Sequence, residues 1–229
     1  MSTLAPALAP ALAPAPGSAP RPAALAAPTR LGQLKAVKRN PGEASFFWYE
    51  TQFSSEAVKV LPGEYFVDSE ELLIMTTLGS CIAACLWDRN ARVGGLNHFM
   101  LPEGSSDSGR YGAYAMELLI NEMMKRGASR SSLEAQVFGG GQVMAGMDRL
   151  SIGERNTRFV LDYLKAERIP VVSKDVLDIY PRKVCFLPAS GKAMVKRLAA
   201  TAAATAQALQ AQVRAAAAVG TGGGSIDLF

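Results

Sequence analysis

The chain has 229 residues, 49% of them hydrophobic and 19% charged, with a formal net charge of +4. That is enough chain for one domain with a substantial core, and the positive charge is spread rather than gathered into the basic face that nucleic-acid binding requires. Three cysteines in apolar settings are too few for a disulfide framework and fit a reducing compartment, and no run of about 18 or more strongly apolar residues is present to span a bilayer.

Residues 1–30 repeat Leu-Ala-Pro-Ala with small variations, at Leu4 to Ala7, Leu8 to Ala11 and Leu12 to Ala15. Proline at this density forbids a regular helix and favours an extended, disordered spacer, with a proline-docking ligand as the functional alternative. No positive charge precedes Arg21, so a signal peptide is not expected and the protein is read as cytoplasmic. Residues 31–56 form a lead-in whose aromatic cluster, Phe46-Phe47-Trp48-Tyr49, marks chain that packs onto the domain. Strands are expected at 58–60, 64–67 and 72–77, then a hairpin of 81–87 and 93–100 around a polar turn at 88–92. Tyr114, Leu118, Leu119 and Met123 at helical spacing predict a helix over 110–126, with Gly127 following its end. A strand at 133–138 runs into Gly139-Gly140-Gly141, a second helix covers 154–167, and strands follow at 169–172 and 183–187. Residues 198–229 read as an alanine-rich helix and a flexible glycine-rich tail. The fold expected is α/β of the α+β type. It is a single compact domain over 57–197 with mostly antiparallel sheet layers, two main helices and low-complexity ends.

His98 is the only histidine, and Cys81 follows the small pair Gly79-Ser80. In a hairpin centred between Arg89 and Asn90 the numbers of paired residues sum to 179, which puts Cys81 directly opposite His98, with Cβ atoms about 4.5–5.5 Å apart. A thiol and an imidazole so placed suggest a cysteine nucleophile with a histidine base. Gly79, Ser80 and Asn97 flank the pair and are the residues expected to meet substrate, with backbone N–H groups near Ser80 serving an oxyanion. The competing chemistry is zinc held by Cys81, Cys85, His98 and Cys185, but on a strand Cys81 and Cys85 stand about 13 Å apart, too far for one ion. Cys85 and Cys185, set among apolar residues, read as core, and no metal is expected. Gly139 to Gly141 lacks the Lys-Ser/Thr of a phosphate loop and reads as a backbone turn beside the cleft. Asn156 reads as a surface helix cap, with a substrate contact as the alternative.

These residues also carry a resemblance. Leu78-Gly79-Ser80-Cys81-Ile82-Ala83-Ala84-Cys85-Leu86-Trp87-Asp88 and Gly94-Gly95-Leu96-Asn97-His98-Phe99-Met100-Leu101-Pro102 resemble the signature of the CheD family, the chemoreceptor glutamine deamidases of bacterial and archaeal chemotaxis. Phe138 to Gly141, Ile152 to Asn156, Ser173 to Val176 and Arg182 to Val184 continue it, so that it covers about residues 57–197. The resemblance implies Cys81 as nucleophile, His98 as general base and no cofactor. It implies methyl-accepting chemoreceptors as substrates, possible methylesterase activity by the same route, and the phosphatase CheC as partner in organisms that have it. A rival reading is an adaptor that keeps the fold but acts by docking to receptors or to CheC. Two departures stand out. The family's site threonine is expected six residues before the cysteine, where Met75 stands, and Thr76 is the substitute assigned its orienting role. Leu177-Asp178 stands where the family commonly has Gly-Gly.

Overall fold

The computed structural model describes residues 29–102, 110–142 and 152–199. In chain order the elements are α1 (Arg30–Ala36), β1 (Phe46–Glu50), β2 (Ser55–Lys59), β3 (Tyr65–Asp68), β4 (Leu73–Leu78), β5 (Ile82–Asp88), β6 (Val93–Phe99), α2 (Gly112–Lys125), β7 (Leu133–Gly139), α3 (Ile152–Ala166), β8 (Val171–Val176), β9 (Arg182–Leu187) and β10 (Lys192–Arg197). The strands form two five-stranded sheets, β1-β2-β4-β9-β10 and β3-β6-β5-β7-β8. Every pairing is antiparallel except β2 with β4 and β7 with β8. The architecture is mixed α/β.

Side-chain alternation along the strands explains the layers. On β5, Ile82, Ala84 and Leu86 join the cluster that holds Met116, Leu119, Ile120 and Met123 of α2 and Val160 and Leu164 of α3. Ala83 and Cys85 point the other way, into a second cluster with Ile74, Leu78, Val184 and Phe186 of the first sheet. The second sheet is thus covered on both faces, by helices and by the first sheet, which is why β5 and β6 read as nearly unbroken apolar runs. Where α2 ends, Gly127 takes φ +93°. The N–H of Ala128 reaches the Met123 carbonyl at 3.1 Å and that of Gly127 the Met124 carbonyl at 3.0 Å, a turn that favours glycine. Among the described residues no helix is long and apolar enough to cross a membrane.

The hairpin register differs from the expected one. Ala83 pairs with His98 and Asp88 with Val93, so paired numbers sum to 181 and Met100, not His98, is in register with Cys81. Asp88 is the reason. Rather than opening the turn it ends β5, buried, and its carboxylate accepts from Asn90 N (2.8 Å), Ala91 N (3.1 Å), Ser129 N (2.7 Å) and Ser132 Oγ (2.6 Å). The four-residue loop 89–92 then closes with Arg92 at φ +54°.

Other boundaries also move. The expected division at 56/57 falls inside β2, and β1 pairs along β2's whole length, so the lead-in is part of the domain. The strand expected at 169–172 lies at Val171–Val176, because Pro170 has no N–H and contributes only its carbonyl, to Ala135 N at 2.9 Å. β10 was not expected: Lys192, Lys196 and Arg197 give it the charged look of an edge strand. The proline-rich segment before Thr29 and the alanine-rich helix and tail after Ala199 lie outside the described residues.

Burial alone raises the Asp88 pKa, yet its hydrogen-bond donors outweigh burial and hold it below the usual carboxylate range. Replacing it with Ala strands those donors, so Asp88→Ala should lose about 2–4 kcal/mol of stability in urea denaturation. A loss below about 1 kcal/mol would show that the hairpin register does not depend on it.

Candidate active site

Alternation along β4 decides which threonine reaches the interior. Thr76 lies on the side of Ile74 and Leu78, which face the second sheet. Thr77 shares the outward side with Leu73 and Met75, which belong to a cluster on the outer face of the first sheet. The buried Thr76 hydroxyl donates to the Val60 carbonyl at 2.8 Å. Its single proton is thereby committed, and at its 2.8 Å contact with His98 Nδ1 the hydroxyl oxygen is the acceptor. The imidazole therefore carries its proton on Nδ1, and Nε2 is the nitrogen with the lone pair. His98 is fully buried, and its backbone is held by Gly63 N at 2.7 Å and by the Glu64 carbonyl at 3.0 Å.

Cys81 is partly exposed and stands just before β5. Because the register shift from the expected pairing is an even number of residues, Cys81, Ala83 and His98 share one face of the second sheet. Cys81 and His98 are diagonal rather than directly opposed neighbours, a relation of about 7–8 Å between backbones.

The turn carrying Cys81 is held by its carbonyls. Gly79 O accepts from Gly141 N (2.8 Å), Ser80 O from Asn156 Nδ2 (3.0 Å) and Cys81 O from Gly140 N (2.8 Å). In a planar trans peptide the N–H points opposite to the C=O, so the bonds to Gly79 O and Ser80 O turn the N–H groups of Ser80 and Cys81 away from Gly141 and Asn156 respectively. The glycines are needed for this approach: Gly139 and Gly140 have φ +111° and +68°, and a Cβ on Gly139 would run into the Cys81 carbonyl oxygen. Asn156 is neither a surface cap nor exposed. It is fully buried in α3, and its Nδ2 also donates to the Met100 carbonyl at 2.9 Å. The sequence signal it carries is its place on the buried stripe Gly153, Asn156, Thr157, Val160 and Leu164, where an apolar residue would be expected.

Asn97 requires a correction. As the neighbour of His98 on β6 it points to the opposite face, where Oδ1 accepts from Ala84 N (3.1 Å) and Nδ2 donates to the Ala115 carbonyl (3.0 Å). It ties β5 to α2, fully buried, and does not meet substrate beside Cys81. The other two cysteines stand apart from the site and from one another. Cys85 is in the layer between the sheets and Cys185 in the cluster outside the first sheet, and burial raises the pKa of both thiols.

A second crossover borders the turn. Buried Arg182 donates through Nε and Nη2 to Asp175 Oδ1 (3.0 and 2.9 Å), through Nη1 to the Tyr180 carbonyl (2.8 Å) and through Nη2 to the Leu177 carbonyl (2.6 Å). Arg197 adds bonds to Asp175 and to Asp178 Oδ2. This network holds Leu177 and Asp178 at φ +64° and +68°, the conformation a Gly-Gly pair adopts without strain. The loop is tied to the glycines by Leu177 N to Gly139 O (2.9 Å) and Gln142 N to Asp178 O (2.7 Å).

Comparison with known proteins agrees with the resemblance seen in the sequence. The profile of the family described as "CheD chemotactic sensory transduction" matches residues 100–197. The chain is 61% identical over 213 residues to "Probable chemoreceptor glutamine deamidase CheD 1" of Albidiferax ferrireducens, covering 91% of each chain. It is 51% identical over 162 residues to "Probable chemoreceptor glutamine deamidase CheD" of Thiobacillus denitrificans, covering 68% of this chain and 80% of the other. It is 54% identical over 156 residues to the protein of that name, numbered 1, from Dechloromonas aromatica, covering 66% and 78%. A solved structure, the Bacillus licheniformis hypothetical protein YfiH, overlaps half of each chain at a TM-score of 0.36 and 11% identity.

Hydrogen bonds from Arg197, with Arg182 adding to them, hold the Asp175 carboxyl below its ordinary pKa. Its contribution to stability is therefore complete above the unfolded value of about 3.9 and disappears as pH falls through the folded value. Asp175→Asn should be about 1–3 kcal/mol less stable than wild type at pH 7, and urea titrations should show the gap closing as the pH drops below about 4. A gap of constant size down to pH 2 would mean the carboxylate charge is not what holds the crossover.

Proposed function

The chain belongs to the CheD family, and on that premise we propose that it is a protein-glutamine deamidase acting on methyl-accepting chemoreceptors, with Cys81 as nucleophile and His98 as base. The observation that carries this reading is the bond between Thr76 Oγ1 and His98 Nδ1, which leaves Nε2 as the basic nitrogen on the sheet face that Cys81 shares. His98 takes the Cys81 proton, and the thiolate forms a bond to the side-chain amide carbon of a receptor glutamine. The oxyanion meets the N–H groups of Ser80 and Cys81, whose direction is set by the bonds that Gly79 O and Ser80 O accept from Gly141 and Asn156. The C–N bond then breaks, His98 returns its proton, and ammonia departs. Water, with His98 again as base, hydrolyses the thioester to glutamate and regenerates the thiol. The new carboxylate is available for methylation, and the same thioester route suits a receptor methyl ester. Thr76 orients the base without touching the substrate, Asn156 positions the turn, and no metal or organic cofactor enters any step. Receptor cytoplasmic domains as substrate place the protein in the cytoplasm, and a CheC-type phosphatase is the second partner proposed.

Ammonia release from a purified receptor cytoplasmic fragment tests the roles together. Cys81→Ala and His98→Ala should each abolish it with the circular dichroism spectrum intact, and full activity in Cys81→Ala would overturn the mechanism. Thr76→Val deletes one hydrogen bond and should cost about tenfold in kcat, whereas Thr77→Val, on the outer face, should cost little. The reverse order would refute the tautomer assignment. Asn156→Asp keeps the shape but removes the donor to Ser80 O, and should lower kcat by about 10- to 100-fold; an unchanged kcat would remove Asn156 from the oxyanion scheme.

A further inference from the structure

The Cys81 turn has a neighbour of similar construction. Residues 79–81 lead from the first sheet into the second, and residues 177–181 lead back. At their roots Leu78 pairs directly with Arg182, and in the second sheet Gly139 stands between Ile82 and Val176. Gly141 is wedged between the two crossovers: a Cβ on it would lie 3.0 Å from the Tyr180 carbonyl oxygen and 3.4 Å from that of Gly79.

The second crossover exposes apolar surface at this junction. Leu177 is 39%, Ile179 59% and Tyr180 39% exposed, three large apolar side chains within four residues. The loop's charged side chain, Asp178, is offset by Arg197 Nη1 at 3.2 Å. Its backbone is held in left-handed conformations at two non-glycine residues by a fully buried arginine, a costly way to build a loop whose side chains serve only solvent.

We propose that Leu177, Ile179 and Tyr180 form a docking lip that receives an apolar side chain flanking the target glutamine. This rests on the deamidase reading for the identity of the partner. A receptor segment that brings a glutamine to Cys81 must lay its neighbouring residues across the adjoining crossover. Neighbouring strands lie about 4.8 Å apart, so the crossovers are one spacing apart at Leu78 and Arg182 and two at Ile82 and Val176, where Gly139 stands between them. In a helical segment the residues three, four and seven positions from the glutamine lie on its side at about 5–10 Å, which covers that span. Neutralised charge and exposed apolar area select an apolar flank over a charged one.

The test uses full-length protein carrying Cys81→Ala, which binds without turnover, and the cytoplasmic fragment of a methyl-accepting chemoreceptor from the same organism as probe. Adding Ile179→Ser and Tyr180→Ser, which leave the backbone bonds of the loop in place, should raise the Kd about tenfold or more with an unchanged melting temperature. An unchanged Kd, or no measurable binding with the lip intact, overturns the proposal. So does a double variant that alters only the sedimentation of the protein alone, which would make the patch a contact between copies of this chain. Failure of the deamidase reading would show separately, as no ammonia from wild-type protein, while the Kd comparison would still decide the lip.

Discussion

A buried imidazole needs a hydrogen-bond partner, and in this fold the partner comes from the other sheet. His98 belongs to the sheet that carries the helices and Thr76 to the sheet packed against it, and the hydroxyl that joins them is itself fixed by the Val60 carbonyl. The two sheets must therefore hold a fixed offset for the ring to keep its proton on Nδ1. The apolar layer between them, with Phe66, Ala83, Cys85 and Leu96 on one side and Ile74, Leu78, Val184 and Phe186 on the other, supplies that offset. The packing of this layer and the basicity of Nε2 are consequently one problem, since a cavity opened among these residues would loosen the hydrogen bond as well as the core.

Around that bond the backbone does the rest. Two crossovers between the sheets lie side by side, and the glycines between them allow approaches that a side chain would block. The turn at Cys81 has its carbonyls engaged by Gly140, Gly141 and Asn156, so its N–H directions are fixed before any substrate arrives. In the mechanism we propose, such preorganisation favours oxyanion stabilisation, because no reorganisation is required as charge develops.

Much of this was legible in the sequence, and the misses have physical causes. The period-two alternation of strands placed Cys81 and His98 on one face even though the register was wrong by two residues, because such an error preserves side-chain direction. What hid the true register was Asp88: an acidic residue beside Asn90 reads as turn, yet a carboxylate with four donors is stable at a buried strand end. Alternation also separates Thr76 from Thr77, whereas Asn97 was misread because nearness to His98 in sequence on a strand means the opposite face. Asn156, Arg182 and β10 were hidden for a common reason. Their partners are backbone carbonyls, a carboxylate and a strand edge supplied by distant parts of the chain, and local pattern does not record them.

Because His98 is the only histidine in the chain, its ring nitrogens can be observed without ambiguity. Nitrogen-15 NMR of the histidine-labelled Cys81→Ser variant, held at a pH where the ring is neutral, reports which nitrogen carries the proton. The Thr76 bond predicts a protonated Nδ1 and a bare Nε2, with the preference weakened in a further Thr76→Val variant. A proton found on Nε2, with Nδ1 accepting from the threonine hydroxyl, would contradict the assignment of His98 as the base facing Cys81.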